Sequence, residues 1–142
     1  MEPRKKLCGT LLIISLHHLF WPAVRFVSVQ SGMQEESGAD LAPELKVVSN
    51  HIFVKTKANA LTSGDFSEYI RENGIDEFYI TGADATACVK STCFNMTKTG
   101  YTVHVIADCV TSYNLKKMPE MLAYYADQGC AVKTLAEYME SN

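Results

Sequence analysis

The sequence predicts an α/β domain in three layers, a parallel sheet flanked by helices. Strand-like and helix-like segments alternate from about residue 51 onward, the signature of βαβ units. The helical segments close on Gly74, Gly100 and Gly129, as helices in such units commonly do. With 142 residues, 47% of them hydrophobic, the chain is large enough to bury one real core.

Taken in order, Leu11-Leu12-Ile13-Ile14 reads as a buried strand. Arg4-Lys5-Lys6 ahead of an apolar stretch also has the outline of a secretory signal, with a weak cleavage region near Ala23. His17-His18 and Trp21-Pro22 fit that outline poorly, so residues 1–23 are an atypical leader or the remnant of a first strand. Residues 24–142 form the α/β domain, its first strand and helix incomplete. Residues 24–29 suggest a short strand and the Ser-, Gly- and Glu-rich residues 30–40 an exposed loop. After Pro43, an apolar stretch leads to a turn at Ser49-Asn50 and a strand over 51–55.

A helix starts at Ser63 or Gly64 and carries Phe66, Tyr69 and Ile70. Residues 77–81 are the next strand, and 88–99 a helix. Residues 101–106 make another strand with Asp108 at its carboxyl end. A helix over 118–128, a short strand over 131–133 and a terminal helix over 135–139 complete the domain.

Composition excludes several classes. Net charge is −3 and no basic tract extends beyond Arg4-Lys5-Lys6, so no nucleic-acid partner is expected. No run reaches the roughly 18 apolar residues of a membrane span. The five cysteines contain no Cys-x-x-Cys pair, which argues against a zinc ribbon or a redox motif. Reduced thiols in a cytoplasmic protein are expected, with Cys109 and Cys130 in the core and Cys93 facing away from Cys88.

Cys88 is the candidate nucleophile. It follows the strand Phe78-Tyr79-Ile80 and Gly82 and opens a helix. The carboxyl ends of strands line the ligand crevice of α/β sheets. The first helical turn, with its unpaired N–H groups, favours a thiolate. Lys55, at the end of the preceding strand, is the candidate for lowering the thiol pKa; Lys57, two residues on, is its rival. Main-chain amides of Asp84 and Cys88 offer an oxyanion hole. Asp84 itself reads either as a substitute acid or as a loop residue capping the Cys88 helix, and Asp108 as a structural strand-end residue.

Gly82-x-x-x-x-x-Cys88-Val89-x-x-Thr92, then Gly100-Tyr101-x-Val103 and Asp108-x-x-x-Ser112, resembles the isochorismatase-like cysteine hydrolases, which include nicotinamidases. Phe53-Val54-Lys55 with Asn59-Ala60-Leu61 resembles the family's lysine strand, and the likeness covers roughly residues 44–139. It implies an Asp–Lys–Cys triad acting on a small amide or related C–N bond, with Cys88 as nucleophile and Lys55 as the lysine. It also implies a cis peptide at Ala83–Asp84. The family's first-strand aspartate falls at Ser15, which cannot shuttle protons as a carboxylate does. A catalytically inactive relative, serving as a binding or assembly module, is therefore the alternative.

Nicotinamidases have an Asp/His metal site. Here the adjacent His17 and His18 point in different directions with no third ligand nearby, and His51 and His104 alternate with apolar neighbours. No metal and no cofactor are expected. The expected partner is a small-molecule substrate. A homo-oligomer is also expected, because an incomplete sheet exposes an edge.

Overall fold

The computed structural model describes residues 53, 55 and 57–140, together with the strand Leu11–Ile14. The expected leader, the strand over 24–29 and the loop over 30–40 lie outside these residues, apart from that strand.

The elements are β1 (Leu11–Ile14), α1 (Gly64–Glu72), β2 (Glu77–Ala83), α2 (Cys88–Thr99), β3 (Thr102–Thr111), α3 (Met118–Asp127), β4 (Ala131–Lys133) and α4 (Leu135–Glu140). The sheet order is β1-β2-β3-β4. Strands β2, β3 and β4 are parallel, and β1 pairs antiparallel along the outer edge of β2.

Local signals explain the boundaries. The Ser63 hydroxyl caps α1 by accepting from the Phe66 N–H at 3.4 Å. Helix α2 ends at Gly100, whose φ of 100° lies in the left-handed region that favours glycine. Thr134 and Glu137 form a reciprocal capping box at the start of α4. Asp108 accepts from the Leu135 N–H at 2.9 Å, the structural part expected of it.

Alternation along β2 divides the two faces of the sheet. Phe78 and Ile80 are buried in the core cluster that also contains Phe66 of α1, Val89 of α2 and Tyr125 of α3. Tyr79 faces the other way, edge-on to Tyr138 of α4. The parallel sheet is thus flanked by helices on both faces, as the sequence predicts. Among the described residues, no helix is long and apolar enough to cross a membrane.

Two expectations are corrected. Neither Phe53 nor Lys55 lies in a strand. The edge of β2 from Gly82 to Tyr79 is paired instead with β1. Cys109 is exposed rather than buried. Strand β3 leaves the β2 register between Ile80, paired with Val105, and Gly82, paired with Val110, and that irregularity carries Cys109 outward.

Phe78 is 1% exposed, with its ring 5.2 Å from Tyr101 and 6.5 Å from Phe66. Replacing it with alanine removes both contacts and leaves a cavity at the sheet–helix junction. Phe78→Ala is predicted to cost about 3–5 kcal/mol, read from the shift in urea midpoint. A loss within about 0.5 kcal/mol, the range of surface substitutions, would show that the junction is not the core.

Candidate active site

The loop from Asp84 to Ala87 joins β2 to α2 and sets the position of Cys88. Its first peptide bond, Ala83–Asp84, is cis. The Asp84 carboxylate accepts the Thr86 N–H at 2.9 Å and the Thr86 hydroxyl at 3.0 Å. Ser112 and Tyr113, at the end of β3, add to the stabilisation of its charged form. Burial alone would push this carboxyl up, but the hydrogen bonds outweigh it and hold the group below its ordinary value.

The loop's main chain is bound as tightly. Ala85 donates to the Thr111 carbonyl at 2.9 Å, and its own carbonyl accepts from the buried Tyr125 hydroxyl. The Asp84 carbonyl accepts from Ala87 and Val89, both at 3.1 Å. Asp84 therefore supports the start of α2 through its carbonyl, while its carboxylate braces the loop through Thr86 and the Ala85 amide ties it to β3. With the Thr86 amide and hydroxyl on that carboxylate, Asp84 is poorly placed to serve as a substitute acid.

Cys88 is the first residue of α2 and fully buried. Its sulfur is in a disulfide whose partner lies outside the described residues. This corrects the expectation that every thiol is reduced: Cys93, Cys109 and Cys130 are free, and Cys88 is not.

The two candidate lysines separate clearly. Lys57 is exposed, whereas Lys55 is 2% exposed and, among the described residues, has no hydrogen-bond partner at its Nζ. Burial lowers the Lys55 pKa from its usual 10.5 to about 8. Phe53 anchors this segment against α1, with ring centroids 5.5 Å from Phe66 and 5.2 Å from Tyr69. Beyond Lys55, the Thr92 hydroxyl accepts from the Ala60 N–H at 3.0 Å and donates to the Ala58 carbonyl at 3.3 Å. Thr92 lies one turn past Cys88, so α2 holds the lysine-bearing segment to itself.

His104 is the histidine among the described residues. His104 pairs its Nε2 with Glu77 at 2.7 Å and stacks on Tyr79 at 4.3 Å. His17, His18 and His51 lie outside the described residues. Among the described residues, no group of three His, Cys, Asp or Glu side chains is arranged to hold a metal ion.

Sequence reasoning singled out the loop and both charged candidates but missed the roles of Thr86, Tyr113 and Tyr125. Thr86, two residues beyond Asp84, has the spacing of an Asx turn and was readable. Tyr125 and Tyr113 reach the loop from distant segments, and no local pattern marks them.

The isochorismatase domain, as a family model, matches residues 23–137. The chain belongs to the isochorismatase family. Among solved structures, an isochorismatase-like hydrolase from Alkaliphilus metalliredigens is 23% identical with a TM-score of 0.73, over 81% of this chain and 70% of that one. A nicotinamidase from Staphylococcus aureus is 26% identical with a TM-score of 0.55, over 58% and 52%. Isochorismatase family protein 2A of Dictyostelium discoideum is 27% identical over 84 residues, 58% of this chain and 42% of that protein. This isochorismatase-family chain thus spans less than half the length of that curated relative.

The buried lysine has a measurable consequence. Between pH 8 and 10.5 the unfolded chain holds a proton on Lys55 that the folded chain has lost, so stability rises with pH across that window. Below pH 8 the folded state carries the full cost of the buried ammonium, on the order of 3 kcal/mol. Lys55→Met is predicted to be more stable than the native chain at pH 7 by that order, with the difference shrinking towards pH 10.5. Urea midpoints at both pH values check this, and a variant no more stable at pH 7 contradicts it.

Proposed function

We propose that this chain is a cysteine hydrolase that cleaves a small amide or related C–N bond through a covalent Cys88 intermediate. The observation that carries this reading is the placement of Cys88 at the first residue of α2, behind a loop fixed on three sides. The reduced thiol is the acting form. Its thiolate attacks the carbonyl carbon, and the amides of Asp84 and Cys88 hold the resulting oxyanion. The C–N bond then breaks, the amine leaves with a proton, and a thioester remains. Water attacks the thioester, releases the acid and returns the sulfur as thiolate.

Lys55 favours the thiolate by its positive charge. With a pKa of about 8 it is also poised to give a proton to the leaving nitrogen and regain one from the attacking water. A mechanism that needs a thiolate places the active protein in a reducing compartment, which favours the cytoplasm. Self-association belongs to the same proposal, an octameric hydrolase from Escherichia coli with a TM-score of 0.63 being one relative of this fold.

The test is ammonia release from a panel of small amides, nicotinamide among them, by the fully reduced chain. Cys88→Ser is predicted to lose at least about 1000-fold in kcat/KM, because a hydroxyl near neutral pH is a far weaker nucleophile than a thiolate. Turnover that survives in Cys88→Ser overturns the nucleophile assignment. A correctly folded, reduced chain that turns over no amide leaves the inactive binding module as the reading.

A further inference from the structure

The two sides of α2 differ in kind. Cys88, Val89, Thr92, Cys93 and Met96 are buried, whereas Lys90, Phe94 and Lys98 follow one another one turn apart along the exposed side. Tyr124 of α3 faces that side. Together Ala87, Lys90, Ser91, Phe94 and Tyr124 line an open groove of about 230 Å³ between the two helices. Phe94 is 40% exposed, a large apolar ring that the fold leaves in water.

Positive charge lies over both rings. Lys90 Nζ is 4.9 Å from the centroid of Tyr124, and Lys98 Nζ is 5.9 Å from that of Phe94. At these distances each ring face attracts its ammonium. Helix α3 carries Glu120 and Asp127, yet among the described residues neither lysine is in a salt bridge. The groove thus combines two aromatic rings with cations that no carboxylate of the described residues pairs. A second copy docked face to face would set these lysines against the same lysines, like charge against like.

We propose that the groove between α2 and α3 is a binding site for a small, one-ring aromatic carboxylate. The ring packs on Phe94 and Tyr124, and the carboxylate meets the Lys90 ammonium, with Lys98 adding to the attraction. The size agrees: a cavity of about 150 Å³ holds a benzene ring, so this groove has room for one ring and its carboxylate. The site is separate from Cys88, which is fully buried and does not line the groove. Ala87 adjoins both, since it lines the groove and its N–H donates to the Asp84 carbonyl at 3.1 Å. The inference stands independently of the hydrolase reading, because the ligand need not be a substrate.

The experiment titrates the folded full chain, with Cys88 in its disulfide, with sodium benzoate and follows the assigned amide resonances by NMR. The resonances of Ser91, Phe94 and Tyr124 are expected to shift saturably, with a Kd below about 10 mM. Lys90 is exposed, so Lys90→Met is expected to keep the native spectrum while raising that Kd at least about threefold. Benzyl alcohol, a like-sized ring without the charge, is expected to bind at least about threefold more weakly than benzoate. Shifts that do not saturate, or that stay within the 84–88 loop, overturn the site. An unchanged Kd in Lys90→Met, or equal binding of benzyl alcohol, overturns the carboxylate assignment. Groove resonances that move with protein concentration before benzoate is added place a second copy there and overturn the proposal as well.

Discussion

One short loop ties the end of β2 to the end of β3 and to the start of α2. Within it the Asp84 carboxylate binds the amide and hydroxyl of Thr86, and Ser112 and Tyr113 at the end of β3 help to hold its charge. The same loop is held by Thr111 at the Ala85 amide and by Tyr125 at the Ala85 carbonyl. Everything proposed for Cys88 depends on this anchorage, because α2 begins where the anchored loop ends.

The second constraint is electrostatic and opposite in sign. Asp84 is a buried charge whose hydrogen bonds are supplied, and its carboxyl titrates low. Lys55 is a buried charge with no hydrogen bond at Nζ among the described residues, and burial brings it down to about 8. A folded state that tolerates such a lysine gives up stability at neutral pH. The proposed role of Lys55 in proton transfer calls for such a group poised near neutrality. The Cys88 disulfide adds a condition: hydrolysis by this route begins only after reduction.

Most of the fold was legible because its signals are local. The glycines at 74, 100 and 129 all have positive φ and follow the helices they were read as ending. Helix α2 runs over Cys88–Thr99, the span that the Gly82 break and Gly100 imply. The setting of Lys55 was less legible. Its burial follows from Phe53 packing on α1 and from Thr92 holding Ala58 and Ala60, not from a strand. The hold on the 84–87 loop was hidden for a related reason: Thr111 and Tyr125 reach Ala85 from beyond an intervening helix, where no spacing rule reaches. Cys109 misled because apolar alternation through β3 does not register the break between Ile80 and Gly82.

The most direct measurement is the pH dependence of Cys88 alkylation by iodoacetamide in the fully reduced chain, native and Lys55→Met, read on peptide 72–90. The account predicts a midpoint well below the free-thiol value of about 8.5 in the native chain, rising in the variant. A midpoint at or above 8.5, or one that Lys55→Met leaves unmoved, would contradict the proposed activation of Cys88 by Lys55.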